Sequence, residues 1–268
     1  MRRWGFITSG FRDPNIIGAG QRVTAQARKL GIFTKLYNFN EQDLELWAPE
    51  TFSKYHKYLS TSHKGFGYWA WKPELIKNVM LRDTELDGVL WVDSGCEIFS
   101  SPWTKKRIVK NLEKAEIDGY LSFHLNYPEK HHTKMDMFDL VGAEKWMMET
   151  PQIQATTLGL FGDFGQVIAQ SWFSTCISNI HYMDNSPSLL KESTEFIEHR
   201  YDQSALSLTM KKMSLRSNFH APAGGVKSLK SGIKSFFDPI WTCRNRTGTT
   251  SIPKIFLLIA EFFNKVVK

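Results

Sequence analysis

The chain has 268 residues, which fits one large domain, and 42% of them are apolar, enough to build a full core. Its formal net charge of +7 favours anionic partners, but the basic residues are dispersed except toward the C-terminus, which argues against a nucleic-acid-binding stripe. Cys96, Cys176 and Cys243 are odd in number, far apart and form no C-x-x-C pair, which argues against a disulfide framework or a zinc knuckle and for a reducing compartment.

Residues 4–9 (WGFITS) read as a short buried strand, and the loop Gly10-Phe11-Arg12-Asp13-Pro14-Asn15 follows. The apolar run at the N-terminus is too brief for a signal peptide, and no stretch reaches the length needed to span a bilayer, so the expected location is cytoplasmic. Residues 21–30 carry a helix pattern closed by Gly31, and residues 32–37 a second strand, an opening that predicts a parallel sheet. Residues 41–62 read as helical and exposed, and residues 73–81 as a helix with Pro73 at its first position. Residues 88–92 (GVLWV) form a continuous apolar run, the mark of a strand buried on both faces. Further on come a strand at 120–125, a strand at 154–161 turning through Gly162 into a helix that reaches Trp172, and a helix at 202–210. A polar hinge at 247–251 precedes a last amphipathic helix. The expected division is a domain over 1–246 and a basic helix over 247–268.

Four segments carry candidate chemistry. Asp93-Ser94-Gly95-Cys96-Glu97 follows the apolar strand, where open α/β sheets bind ligands. A carboxylate there holds a divalent metal against a diphosphate or accepts from a ribose, although Asp-Ser-Gly is also ordinary turn chemistry. Gly65-Phe66-Gly67-Tyr68-Trp69-Ala70-Trp71-Lys72-Pro73 sets aromatic rings and a lysine before a helix N-terminus. That is a natural diphosphate site, or else a hydrophobic wedge beside a solvated Lys72. In His199-Arg200-Tyr201-Asp202-Gln203-Ser204, Asp202 reads as a helix cap or, with Gln203, as a pair that faces sugar hydroxyls. His220 is a surface histidine or a metal ligand. Residues 252–268 form a helix docked on the core or lying on an anionic membrane, with Lys227, Lys230 and Lys234 upstream.

In order and spacing these segments resemble bacterial glycosyltransferases of capsule and O-antigen gene clusters. There a W-x-W-K-P segment (Trp69 to Pro73 here) precedes a strand ending in Asp-(Ala/Ser)-Gly (Asp93-Ser94-Gly95). Arg200-Tyr201-Asp202-Gln203-Ser204 is similar to the group's Arg-His-Asp-Gln-Ser motif, and Gln154-Ala155-Thr156 resembles the strand lining its sugar site. The resemblance covers residues 4–246. It implies a GT-A-like α/β fold, with a mostly parallel Rossmann-type sheet flanked by helices. It also implies a nucleotide-diphosphate sugar as donor and a hydroxyl of a cell-surface polysaccharide or lipid-linked glycan as acceptor, with peripheral contact at the inner membrane. Asp93 would stand for the first Asp of a D-x-D metal motif, and Gly95 stands where the second would be. Mn²⁺ or Mg²⁺ would then need Glu97 or His220 beside Asp93, or Lys72 and arginines would neutralise the diphosphate without metal. The nucleotide is expected against Thr8, Ser9 and Gly10 with Arg22 nearby, the diphosphate at Lys72 and Asp93, and the sugar at Asp202 and Gln203. A retaining reaction needs no dedicated base. An inverting one needs a carboxylate, with Asp202 or Asp136 as candidates.

Overall fold

The computed structural model describes residues 2–60, 62–217, 219–220 and 240–251, apart from the side chains of Phe219, His220 and Trp241. The chain enters β1 (Trp4–Ser9), buried throughout, and then α1 (Pro14–Leu30). This helix starts earlier than the apolar pattern predicts because Asp13 caps it and Pro14 fits its first turn, and Gly31 closes it at φ +59°. Next is β2 (Phe33–Phe39). The stretch expected to be one exposed helical region breaks into α2 (Leu44–Trp47) and α3 (Pro49–Tyr55), because Pro49 cannot continue a helix.

A single turn, α4 (Gly65–Tyr68), leads into α5 (Lys72–Arg82), then β3 (Gly88–Val92) and the short β4 (Glu97–Ile98). The following helix, α6 (Pro102–Asp118), was not expected from the sequence. Its signals are a capping box between Ser101 and Thr104, Pro102 in the first turn, and Gly119 at φ +81° behind it. The strand predicted over 120–125 divides into β5 (Tyr120–Leu121) and β6 (Phe123–Pro128), which join different sheets. After α7 (Met135–Leu140), α8 (Lys145–Glu149) and β7 (Pro151–Ile153) come β8 (Thr157–Phe161), α9 (Gly162–Ile177), α10 (Tyr201–Lys212), β9 (Phe219–His220) and β10 (Ile240–Trp241).

The main sheet runs β2-β1-β3-β8-β5. β1 is parallel to both β2 and β3, and β8 is antiparallel to β3 and β5, so four of the five strands point one way. Alternate residues feed two cores. Phe6, Leu90 and Val92 face α1 and α6, whereas Ile7, Val89 and Trp91 face α5, α9 and α10. The chain passes from β1 outward to β2 and then back to β3 on β1's other side. This reversal puts a topological switch point at the carboxyl ends of β1 and β3, the edge where Gly10 and Asp93 lie and where open sheets bind ligands.

Residues 240–251 form a strap that returns to this edge of the sheet. β10 pairs antiparallel with β4, and the Asn245 N–H donates to Gly95 O at 2.9 Å. Glu97, fully buried, accepts from the Asn245 side chain at 2.7 Å, the Ser251 N–H at 2.7 Å and the Thr250 hydroxyl, and Arg22 Nη1 lies 3.2 Å away. Arg22 Nη2 also donates to Ser94 O at 2.8 Å and to Asn245 O at 2.9 Å. The expected hinge at 247–251 is therefore bound to the body through Thr250 and Ser251. The helix expected over 252–268 lies outside the described residues. Among the described residues no helix is long and apolar enough to cross a membrane.

Burial alone would raise the Glu97 pKa, but hydrogen bonds from Ser251, Thr250 and Asn245 outweigh it and bring the value from 4.5 down to about 2. A carboxylate with a lowered folded pKa stabilises the fold fully above pH 4.5, and that contribution fades as pH falls toward 2. Glu97→Gln should lower stability at pH 7 by about 3 kcal/mol, because it leaves Arg22 buried without its counter-charge. Urea titrations at several pH values should also show a flatter acid limb in this variant.

Candidate active site

Three elements converge on the carboxyl edge of β3. Asp93 follows the strand directly, its N–H held by Thr156 O at 2.9 Å. Its Oδ1 accepts from Trp91 Nε1 at 2.7 Å and lies 3.1 Å from Lys72 Nζ. The same ammonium sits 2.7 Å from Asp202 Oδ2 and 5.3 Å from the centre of the Trp91 ring. Lys72 is 2% exposed and Asp202 is 5% exposed, so one buried cation joins two carboxylates from different ends of the chain.

This placement opposes the local helix field, because Lys72 begins α5, where the helix dipole disfavours a positive charge. Burial also works against the Lys72 charge, but Asp202 and Asp93 outweigh it and raise its pKa. Asp202 begins α10, where the dipole favours a negative charge. Burial pushes the Asp202 pKa up to about 6, with Lys72 pulling against it.

The loop before Lys72 is strained. Gly65, Phe66, Gly67, Tyr68 and Trp69 all have positive φ, from +53° to +92°, which makes a left-handed turn of five residues. Two glycines adopt it freely, whereas Phe66, Tyr68 and Trp69 cost about 1–2 kcal/mol each. Packing on both sides holds it. Phe66 stacks on Phe11 with centroids 5.4 Å apart, and Tyr68 and Trp69 meet Tyr201 at 5.4 and 5.8 Å. Tyr201 is itself left-handed at φ +47°, immediately before Asp202. Strain of this kind clusters where a site must hold side chains in fixed positions. A cleft of about 620 Å³ opens beside Tyr201, bounded by Lys64, Asp184, Asn185 and His199, and one of about 390 Å³ opens beside Phe66 and Arg12.

Several expected site residues have partners within the protein. Trp71 is buried, donates to Phe66 O at 3.0 Å and packs edge-on to Phe11 at 4.4 Å, so it belongs to the core, while half-buried Trp69 faces Tyr201. Gln203 donates to Gln152 Oε1 at 2.6 Å and accepts from Ala155 N at 3.4 Å, which ties its amide to β7 and the residues after it. Arg22 and Glu97 are engaged with each other and with the strap. Gly10 is a close-approach glycine, because a Cβ there would lie 2.6 Å from Ile16 O. Thr8, Ser9 and Gln154 are buried, and the Thr8 hydroxyl and Gln154 Nε2 have no hydrogen-bond partner among the described residues. Asp136 accepts from the backbone N–H of Leu189 and Leu190 and meets His181 Nε2 at 2.5 Å, so it holds a loop and is not available as a base.

Of the expected metal ligands, only Asp93 Oδ2 is not engaged by protein groups among the described residues. Asp93 Oδ1 already takes two donors, Gly95 offers no side chain, and the Glu97 oxygens are filled. Among the described residues no three His, Cys, Asp or Glu side chains form a metal-binding group, and the His220 side chain lies outside them. The donor set fits the Lys72 ammonium.

The sequence reading also missed a buried polar network beneath the site. Glu129 accepts from Gln152 at 2.8 Å, Thr133 at 2.7 Å, Lys211 at 2.7 Å and the Ser207 hydroxyl. The signal was the polar stripe Gln203, Ser204, Ser207 and Lys211 on one face of α10, a helix otherwise sunk in the core. The network fixes α10 and thereby aims Asp202. Lys72→Met, which leaves buried Asp202 and part-exposed Asp93 without a cation, should destabilise the fold by about 3–5 kcal/mol in urea, and adding Asp202→Asn should recover part of that loss.

No protein-family model and no curated protein matches the sequence. Among solved structures the chain is similar to a glycosyltransferase involved in the glycosylation of the major capsid of PBCV-1. The TM-score is 0.50 and the identity 14%, over 91% of this chain and 95% of that one. Mouse xyloside xylosyltransferase 1 in its apo form aligns with TM-score 0.44 and 11% identity, over 91% of this chain and 99% of that one. The likeness to the PBCV-1 enzyme, together with a mostly parallel sheet covered by helices on both faces, shows that the chain has a GT-A-like glycosyltransferase fold.

Proposed function

We propose that the protein transfers a sugar from a nucleotide-diphosphate donor to a hydroxyl of a glycan or lipid-linked acceptor in cell-surface polysaccharide synthesis. The observation that carries this reading is the Asp93–Lys72–Asp202 constellation at the switch point of the sheet. A buried cation there fixes two carboxylates, one directly beyond β3 and one at the start of α10, on the edge where such sheets bind nucleotides. Asp93, with its second oxygen, serves the ribose or the diphosphate side, and Asp202 serves the sugar. Tyr201 and the cleft of about 620 Å³ beside it offer an aromatic wall for the acceptor.

In the transfer the bond from the sugar's anomeric carbon to the diphosphate oxygen breaks. Its electron pair leaves with the nucleoside diphosphate, and the acceptor oxygen bonds to the anomeric carbon. A retaining course in which the departing phosphate takes the acceptor proton is favoured, because Asp136 is engaged by backbone N–H groups and Asp202 by Lys72. Location on the cytoplasmic face of a membrane, through residues 252–268, belongs to the same proposal.

A thermal-shift panel of UDP, GDP, CDP and dTDP and their common sugars, with Mn²⁺, Mg²⁺ or EDTA, should give a clear rise with one nucleotide class, since a ligand that binds the native state raises its apparent stability. No rise with any of them would overturn the reading. With the donor known, Asp93→Asn should lower kcat/KM by about 100-fold or more while the fold persists. Activity should climb through pH 6 as Asp202 ionises, since burial has raised its pKa to about 6, and Asp202→Asn should abolish that limb together with most of the rate.

A further inference from the structure

The constellation described above carries two carboxylates and one ammonium. A nucleoside diphosphate brought to its edge adds two or more negative charges. Binding then requires further cations facing the same turn. Two arginines are tied to it through the backbone: Arg200 just before Asp202, which Lys72 joins to Asp93, and Arg244 on the strap beside Gly95. Arg200 stands two residues before Asp202, its guanidinium over the Tyr127 ring at 4.8 Å and hydrogen-bonded to the Tyr127 hydroxyl. Arg244 rests on the Asp-Ser-Gly turn, with its Cα 3.5 Å from where a Gly95 Cβ would stand.

The strap holds Arg244 in this place against resistance. Its backbone is left-handed at φ +55°, a conformation that costs a non-glycine residue about 1 kcal/mol or more. It is kept there by its two neighbours, since the Asn245 N–H and the Cys243 thiol both reach Gly95 O, at 2.9 and 3.6 Å. The Arg244 side chain is exposed, and no carboxylate pairs with it among the described residues. Glu198, half exposed, lies 3.3 Å from Arg200 Nε and offsets part of that charge.

We infer that Arg200 and Arg244 form a two-guanidinium clamp on the donor diphosphate, closing over Asp93-Ser94-Gly95 and supplying the positive charge that the leaving group needs. The inference rests on the donor reading above. Guanidinium forks suit phosphate oxygens because two parallel N–H groups meet two acceptors. The two side chains feel one another: burial lowers the Arg200 pKa, Arg244 lowers it further, and at about 10 Arg200 remains charged at neutral pH. A diphosphate between them relieves that repulsion.

The test is calorimetric titration of the full chain, in EDTA, with the four nucleoside diphosphates and their monophosphates. Arg244→Ala is exposed enough to fold, and Arg246→Ala is a charge-matched control on the same strap. The clamp predicts that one diphosphate binds the unaltered protein in EDTA. Arg244→Ala and Arg200→Ala should weaken it by about tenfold or more, the matching monophosphate by less than about threefold, and Arg246→Ala should change neither. Binding that survives Arg244→Ala, or that requires Mn²⁺ or Mg²⁺, overturns the clamp and leaves the donor reading standing. Binding of no nucleotide under any condition overturns the donor reading and the clamp with it.

Discussion

Lys72 is a cation in the wrong place by every local rule. It is buried, it starts a helix whose dipole repels it, and its stem crosses the face of Trp91. It stays charged because Asp93 and Asp202 lie 3.1 and 2.7 Å away. The dependence runs in both directions. Without Lys72 buried Asp202 would face Asp93 with no cation between them, and without the acids the ammonium would shed its proton or open the core. The end of β3, the start of α5 and the start of α10 are therefore held at one point by charge, beside the apolar core that the three elements share. The left-handed turn of residues 65–69 leads directly into the buried lysine.

Around this point the charges are graded. Asp202 is pushed toward neutrality by burial, whereas Glu97, equally buried, is drawn the other way by its hydrogen-bond donors. One carboxylate titrates in the range where enzymes work, and the other never titrates under ordinary conditions. The first is suited to chemistry and the second to scaffolding, and the difference is the number of N–H and O–H groups that reach each one.

Much of the fold was legible because its signals are local. The GVLWV run could only be a strand covered on both sides, and Asp93 at its end fell where open sheets bind ligands. Trp71 shows where local reading leaves a choice. The sequence allows its ring to bind a ligand or to wedge into the core, and only the tertiary approach of Phe11 and Trp91 shows that the ring fills a core. The partners of Gln203 were illegible for the same reason, since Gln152 and Ala155 are some fifty positions distant. Arg244 was beyond reach because nothing in the sequence around it states that the strap returns to Gly95. The helix α6 was legible and passed over, since Ser101, Pro102 and Gly119 mark both of its ends.

The strap sets the order in which the molecule is completed. Arg22, in the first helix, gives one of its two Nη2 hydrogen bonds to the carbonyl of Asn245, 223 positions later. A chain emerging from the ribosome forms β1, α1 and β3 early, yet Arg22 and Glu97 are each left short of partners until residues 245–251 arrive. Contacts so far apart in sequence form late and slowly. The edge of the sheet beside Gly95 is therefore complete only when residues 245–251 have closed on Arg22 and Glu97.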